Sequence, residues 1–584
     1  ADATTPTGLR VAFDEASMPV AEALDLDPVP GVLPGGLETD GGAINPAEWN
    51  RNDGFSPVSM LLAHVPEVDL EGSGAAPLTD PQRSLYADAP ILVINADTGE
   101  RHPVWAELDA NVGDPAEQAL IIRPARNFLE GERYIVALRN LVDGDGEPIE
   151  ASALFRAYRD GTGTGVDAFE ARRPEMEAIF ETLEGNGVER DDLFLAWDFT
   201  VASQESITER LLHIRDQAFA RLGGGAPQFT IDEVEDAPPG GLSREITGTF
   251  QVPNYLNQVG GPPGSSFNYD SDDPDALPSQ LNGDDTVTAR YRCQIPETAV
   301  ADFSDDTATV TPARAALYGH GLFGQGPGGE FHSADVRNMQ SEHNVLFCAT
   351  DWIGMAYDDI GSGIIFDILA DISLIPQQLD RSQQGLLNFM YLAELLRHPD
   401  GFQSRAEFQH GPENTVVFDD SEVFYDGNSQ GGIMGGALVA TAPNIDRGVL
   451  GVPGSNYSLL LRRYGTFQQS FGVVLNAAYP HGLDRTLNLA LMQMLWDRAE
   501  NNGYLSHLAG NHLPNTPTDK TVLMHVALGD HQVTHWSAEI MARTIGASIH
   551  EPTKRLGESQ LENPYFGIPA ITQYPHQGHA VMVW

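Results

Sequence analysis

Apolar and polar positions change their rhythm along this chain. Residues 1 to about 90 are rich in Pro, Gly and Asp and weakly periodic, which predicts loops with short strands. From Ala89 to about Ala157 short apolar runs recur between Gly/Asp turns: Pro90–Asn95, Ala119–Pro124 and Tyr134–Leu138, with turns at Asp97-Thr98-Gly99 and Asp143-Gly144-Asp145-Gly146. This spacing predicts a small β-sandwich. Helical periodicity follows at Arg173–Leu183 and Ser203–Leu222, with a buried strand predicted between them at Phe194–Thr200. Residues 224–290 return to β and loop. From about residue 311 strand and helix alternate. Strands are predicted at Ala315–Tyr318, Val345–Ala349, Val423–Tyr425, Val449–Val452 and Val522–Ala527, and helices at Gln378–Arg397 and Gly432–Thr441. Such alternation predicts a mostly parallel sheet with helices on both faces.

The 584 residues exceed what one core organises, so several domains are expected. The pattern divides them into a β-rich region at 1–165, a mixed connecting region at 166–300 and an α/β domain at 301–584. Apolar insertions near 352–377 and 455–515 read as a cap on the last of these. There is no uninterrupted apolar run of about 18 residues, so no membrane-spanning helix is expected. The chain opens on Ala1 with no signal-like apolar segment, as a processed product would.

Charge narrows the partners. Against 83 acidic residues stand 33 basic ones, a net charge of −50, and Lys520 and Lys554 are the lysines. Such a surface repels nucleic acid and anionic membranes. It also suits a strongly hydrated, salt-adapted protein, although Arg-favouring codons would give the same Lys deficit. Two cysteines, Cys293 and Cys348, fit one disulfide in an exported, secreted or cell-surface protein, the other reading being two buried thiols. The acidic stretch at Asp270–Asp275 lacks the ordered spacing of a calcium loop, and both it and Asp143/Asp145 read as solvated turns, with structural calcium the less favoured alternative; no cofactor is expected.

The chemistry concentrates in the last 270 or so residues. Gly427-Asn428-Ser429-Gln430-Gly431 lies between a predicted strand and a predicted helix. Glycines beside a serine at such a junction permit a sharp turn that exposes the hydroxyl. Upstream, Tyr318-Gly319-His320-Gly321-Leu322-Phe323-Gly324 follows the first strand of the alternating region. A strand-end acid, Asp530, follows Val522–Ala527, and the C-terminus holds His576 and His579 in Pro575-His576-Gln577-Gly578-His579-Ala580.

Together these motifs resemble the α/β-hydrolase superfamily over Thr311–Trp584, with His320-Gly321-Leu322 similar to bacterial lipases. The β-rich N-terminal stretch loosely resembles immunoglobulin-like modules. The hydrolase resemblance implies a catalytic triad of Ser429, Asp530 and His579, with His576 as the alternative base. It implies an oxyanion hole from the backbone amides of Leu322 and Gln430, with Phe323 as a rival to Leu322. His320 then shapes its loop. Phe323, Trp352, Met492 and Trp496 are candidate substrate contacts in the cap. The expected activity is that of a serine esterase or lipase on a small-molecule, lipid or polyester ester. A peptidase or amidase on the same scaffold and a surface binding protein with a degenerate hydrolase fold are the alternatives.

Overall fold

A computed structural model describes residues 1–29, 33, 35–553 and 563–584. Among the described residues, seven short strands between Leu61 and Thr200 build the first domain: β1 (Leu61–Ala63), β2 (Ile91–Asn95), β3 (Arg101–His102), β4 (Val104–Leu108), β5 (Leu120–Pro124), β6 (Arg133–Arg139) and β7 (Leu193–Thr200). They form two antiparallel sheets, ordered β7-β6-β2-β3 and β1-β5-β4. The sheets enclose Val93, Leu120, Ile122, Tyr134, Val136 and Phe199. In the immunoglobulin pattern the second strand sits in the opposite sheet from the third and sixth. Here β2 pairs with both β3 and β6, so that pattern is not reproduced. The outer face of the larger sheet is covered by α1 (Ala153–Arg159) and α2 (Asp167–Gly185), through Phe155, Ile179, Phe180 and Leu183. The domain boundary expected near 165 therefore falls after β7.

The next helix, α3 (Gln204–Leu222), starts at Ser203, whose hydroxyl accepts the Ser206 N–H at 3.1 Å, and stops at Gly223 in a left-handed conformation. Its apolar stripe, Leu211, Ile214 and Ala218, packs on the second domain. That domain is built on ten strands: β8 (Phe229–Asp236), β9 (Leu242–Pro253), β10 (Thr286–Pro296), β11 (Ala313–Gly319), β12 (Val345–Ala349), β13 (Phe418–Asn428), β14 (Arg447–Gly451), β15 (Thr521–Val526), β16 (Ser548–Ile549) and β17 (Ala580–Val583). Their order is β8-β9-β10-β12-β11-β13-β14-β15-β17-β16. The first three are antiparallel meanders, and from β12 onward all neighbours are parallel. The boundary expected at 301 lies inside this sheet, between β10 and β11.

Helices α4 (Ala334–His343), α7 (Pro376–Arg397), α8 (Gln430–Thr441) and α14 (His535–Ile545) flank the sheet. α7 opens on Pro376, where the missing N–H costs nothing, and is buried along almost its whole length. α8 lies close enough for a Cβ on Gly435 to fall 2.3 Å from the Tyr425 ring, so only glycine fits there. On the other face α4 packs on β11 and β12 through Val336, Tyr318 and Phe347, while Phe424, Val449, Leu523 and Met582 stay half-exposed.

The two apolar insertions meet above the C-terminal strand ends. α5 (Tyr357–Gly361) and α6 (Ile364–Ala370) come from the first, and α9 (Tyr457–Arg463), α10 (Gly465–Ser470), α11 (Gly472–Ala478) and α12 (Gly482–Trp496) from the second. They share one core with Val11, Met18, Leu24, Ile44 and Trp49, so these N-terminal residues pack against the cap. The Trp49 indole donates to the Leu491 carbonyl at 2.8 Å.

Cys293 on β10 and Cys348 on β12 are direct register partners and are joined by a disulfide across the antiparallel junction. It closes a separation of 55 residues. A loop of that length predicts about 4 kcal/mol of stabilisation. Denaturation with and without reductant, and of the Cys293→Ser/Cys348→Ser protein, should show a loss of that order. No helix among the described residues is long and apolar enough to cross a membrane.

Candidate active site

Ser429 stands alone between β13 and α8 at φ 57°, ψ −115°. A non-glycine residue there is strained, and such strain persists only where the surroundings over-determine it. The surroundings are tight. A Cβ at Gly427 would lie 2.2 Å from the Tyr425 hydroxyl, one at Gly431 would lie 2.2 Å from the Gly319 carbonyl, and one at Gly432 would lie 2.5 Å from the Gly451 carbonyl. The Ser429 N–H donates to Gly451 at 2.9 Å, and the Tyr425 hydroxyl donates to Gly431 at 2.6 Å. Three more non-glycine residues with positive φ lie in the loops after β11 and β14: Phe323 at 53°, Val452 at 40° and Asn456 at 62°. Together with Ser429 they place four such backbones at one edge of the sheet.

The loop after β11 is shaped from inside by His320, which is fully buried. Its Nε2 accepts the Trp352 N–H at 2.9 Å. That leaves the proton on Nδ1, which donates to the Gly321 carbonyl at 2.7 Å. Burial holds this ring below the usual imidazole range, so it is neutral and has both nitrogens engaged. Glu330 ties this loop to the serine turn. It accepts the Gly321 N–H and the Asn428 side-chain amide, each at 2.9 Å, and the Tyr318 hydroxyl at 3.0 Å. A Cβ at Gly321 would sit 3.9 Å from that of Ser429, which brings the loop against the serine. The two rival amides of this loop differ. The Phe323 N–H is spent on the Met355 carbonyl at 2.9 Å, whereas the N–H groups of Leu322 and Gln430 have no acceptor among the described residues.

Asp530 lies on the loop after β15, at the same edge as Ser429 because β13, β14 and β15 are parallel. Its Oδ1 accepts the N–H groups of Gln532 at 2.7 Å and Val533 at 3.1 Å, which fixes the loop. Val533 in turn packs towards Gly454, beyond the end of β14.

The structure does not bring His579 to this edge. The residues after it, Ala580–Val583, form β17, and Ala580 is paired in parallel with Leu523 on β15. His579 therefore sits at the beginning of the strand, at the opposite edge of the sheet from Ser429. There its Nδ1 accepts the Val522 N–H at 3.1 Å and its Nε2 meets the Leu508 carbonyl at 2.9 Å. His576 lies at the same wrong edge, its Nε2 3.2 Å from the His579 carbonyl. The signal that placed the two correctly was present in the sequence: the apolar run Ala580-Val581-Met582-Val583 is itself a strand. No histidine among the described residues is hydrogen-bonded to Ser429. Two others flank Asp530. His531 is exposed, and His535, the first residue of α14, is buried among Val526, Glu539 and Val583.

Beside the Leu322–Phe323 loop the cap insertions form a narrow, half-open apolar pocket. Phe323, Met492 and Trp496 line it. So do Tyr457, Phe467 and Phe471, which were not singled out from the sequence although they fall in the second insertion. Tyr457 also donates its hydroxyl to the Gln430 side-chain oxygen. Trp352 is not part of this wall. It is fully buried behind the sheet, stacked on Phe389 at 3.7 Å between ring centres and edge-on to Tyr425. Among the described residues no group of three or more His, Cys, Asp or Glu side chains could hold a metal ion.

No protein-family model matches the chain, and no curated protein is similar to it. Among solved structures, acetyl xylan esterase 1 from a Thermoanaerobacterium species is 13% identical over 65% of this chain and 87% of its own, with a TM-score of 0.34. An acetyl xylan esterase from a Paenibacillus species is 10% identical over 65% and 91%, with a TM-score of 0.31. An S-formylglutathione hydrolase from Agrobacterium tumefaciens is 11% identical over 61% and 91%, with a TM-score of 0.28. The strand order of the second domain, its parallel run from β12 to β16 and the strand–Ser429–helix turn at its centre give it the α/β-hydrolase fold.

Proposed function

We propose that this protein is a serine hydrolase that cleaves carboxylic esters through an acyl-enzyme on Ser429. The observation that carries the reading is the pair of acceptor-free amides, Leu322 and Gln430, on either side of a strained serine. Ser429 Oγ bonds to the ester carbonyl carbon while the carbonyl electron pair moves to oxygen, where the two N–H groups hold it. The tetrahedral species collapses, the C–O bond to the alcohol breaks, and the alcohol takes the serine's proton from the base. Water then repeats the sequence on the acyl-enzyme. We assign the base to His531, exposed at Ser429's edge of the sheet, and its orientation to the neighbouring Asp530. The cap cavity takes the acyl group. Its mostly apolar wall favours an ester over a charged peptide side chain. The disulfide supports an exported protein.

Fluorophosphonate labelling tests the reading. The probe is expected on the Ser429 peptide. His579→Ala should label within about twofold of the parent, since that ring lies at the other edge, while His531→Ala should label on the order of 100-fold more slowly. Absence of labelling in the folded protein would overturn the hydrolase reading. Loss of labelling in His579→Ala alone would overturn the assignment of the base.

A further inference from the structure

The cap pocket carries a buried, unpartnered donor that the proposed reaction does not use. Trp496 is 4% exposed and lines the cavity, and its indole Nε1 has no hydrogen-bond partner among the described residues. A buried donor left without an acceptor costs about 1–3 kcal/mol and calls for an explanation. Two other polar groups on this wall are engaged, the Gln378 side-chain amide with the Met355 sulfur at 3.0 Å and the Tyr457 hydroxyl with Gln430, and a third, Tyr464, is half-exposed. A water filling this place would need two or more polar partners, and the wall around the indole is mainly Leu, Ile, Met and aromatic carbon. An ether or keto oxygen needs only one donor, because it accepts and does not donate.

The position also relates to the reacting centre. The Trp496 ring lies 5.0 Å from the Tyr457 ring, centre to centre, and Tyr457 holds the side chain of Gln430. The indole is therefore one ring removed from Gln430, the residue that follows the serine. We infer that the acyl group carried by Ser429 is an apolar chain interrupted by an ether or keto oxygen, which accepts the Trp496 Nε1–H. This rests on the reading of Ser429 as the acyl-transfer nucleophile.

The test compares p-nitrophenyl hexanoate with its 4-oxo and 5-oxo derivatives and with the 4-oxa and 5-oxa analogues, on the full chain. One position of oxygen should raise kcat/KM about tenfold over the all-carbon ester. Trp496→Phe keeps the ring and removes the donor, and it should bring that ratio to about one. No preference at any position in the parent protein, or a preference unchanged in Trp496→Phe, overturns the inference. The parent comparison decides even if the variant does not fold. Fluorophosphonate labelling of Ser429 separates the two readings: a labelled protein without oxygen preference loses only this inference, and an unlabelled one loses both.

Discussion

Ser429→Ala should lower kcat/KM for aryl esters by about 10⁴-fold or more, and Ser429→Gly should do the same while leaving a more stable protein than the alanine variant. The first effect follows from loss of the nucleophile, since what remains is only oxyanion stabilisation and binding. The second follows from the backbone. At φ 57° and ψ −115° an L-residue carries strain on the order of 1–3 kcal/mol, which alanine retains and glycine relieves. Glycine returns part of that gain through the greater freedom of the unfolded chain, roughly 0.5–1 kcal/mol. The net expectation is that glycine exceeds alanine by about 1 kcal/mol in denaturant unfolding. An alanine variant as stable as the glycine one would show that the turn is relaxed, and would remove the argument that the serine is held in place for attack.

How far this site was legible before the structure depends on how local each signal is. Parallel strands covered on both faces read as unbroken apolar runs, so Ala315–Tyr318 and Val345–Ala349 announced themselves, and with them the turns at their ends. The front of the same sheet did not. β8 is an edge strand exposed along most of its length, with Asp232, Glu233, Glu235 and Asp236 in it, and it carries almost no apolar pattern. Its membership follows from pairing with β9, which no local window contains. β7 joins β6 across two helices for the same reason. The place of His579 turns on reading the short run Ala580–Val583 as a strand, which puts the histidine before that strand and not after it. Trp352 was read into the cap from its apolar neighbours. Its burial depends on Phe389, a helix away, and only the fold supplies that contact. The split between Leu322 and Phe323 as donors likewise rests on one hydrogen bond to Met355.

Stability is expected to be greatest at mildly acidic pH and to fall by on the order of 5 kcal/mol between about pH 5.5 and pH 8.5. Five carboxyls are buried deeply enough to be pushed far above their ordinary values: Asp497 to about 6, Asp380 and Asp426 to about 7, and Glu500 and Glu539 to about 8, in each case chiefly because burial disfavours the charged form. Their folded values lie above the unfolded ones, so the folded chain keeps protons that the unfolded chain has released. That contribution is complete below about pH 4 and is lost as pH rises through 6 to 8. Glu107 works in the opposite direction. Arg123 and Arg463 outweigh its burial and lower it to about 2, so its contribution is present above about pH 4 and lost only in stronger acid. The two sets together place the maximum between them. Thermal unfolding at a series of pH values checks the slope, and Asp380→Asn and Glu500→Gln should each flatten it. A slope that is level or rising from pH 5.5 to 8.5 would mean that these carboxyls ionise at little cost inside the fold. Glu500 also links stability to turnover. It accepts the N–H groups of Asn456 and Tyr457, and Tyr457 is the residue that holds Gln430. Ionising it places a buried charge on the backbone of Tyr457, two contacts from the Gln430 side chain. Ester turnover is therefore expected to decline above about pH 8, at the pH where the fold itself weakens.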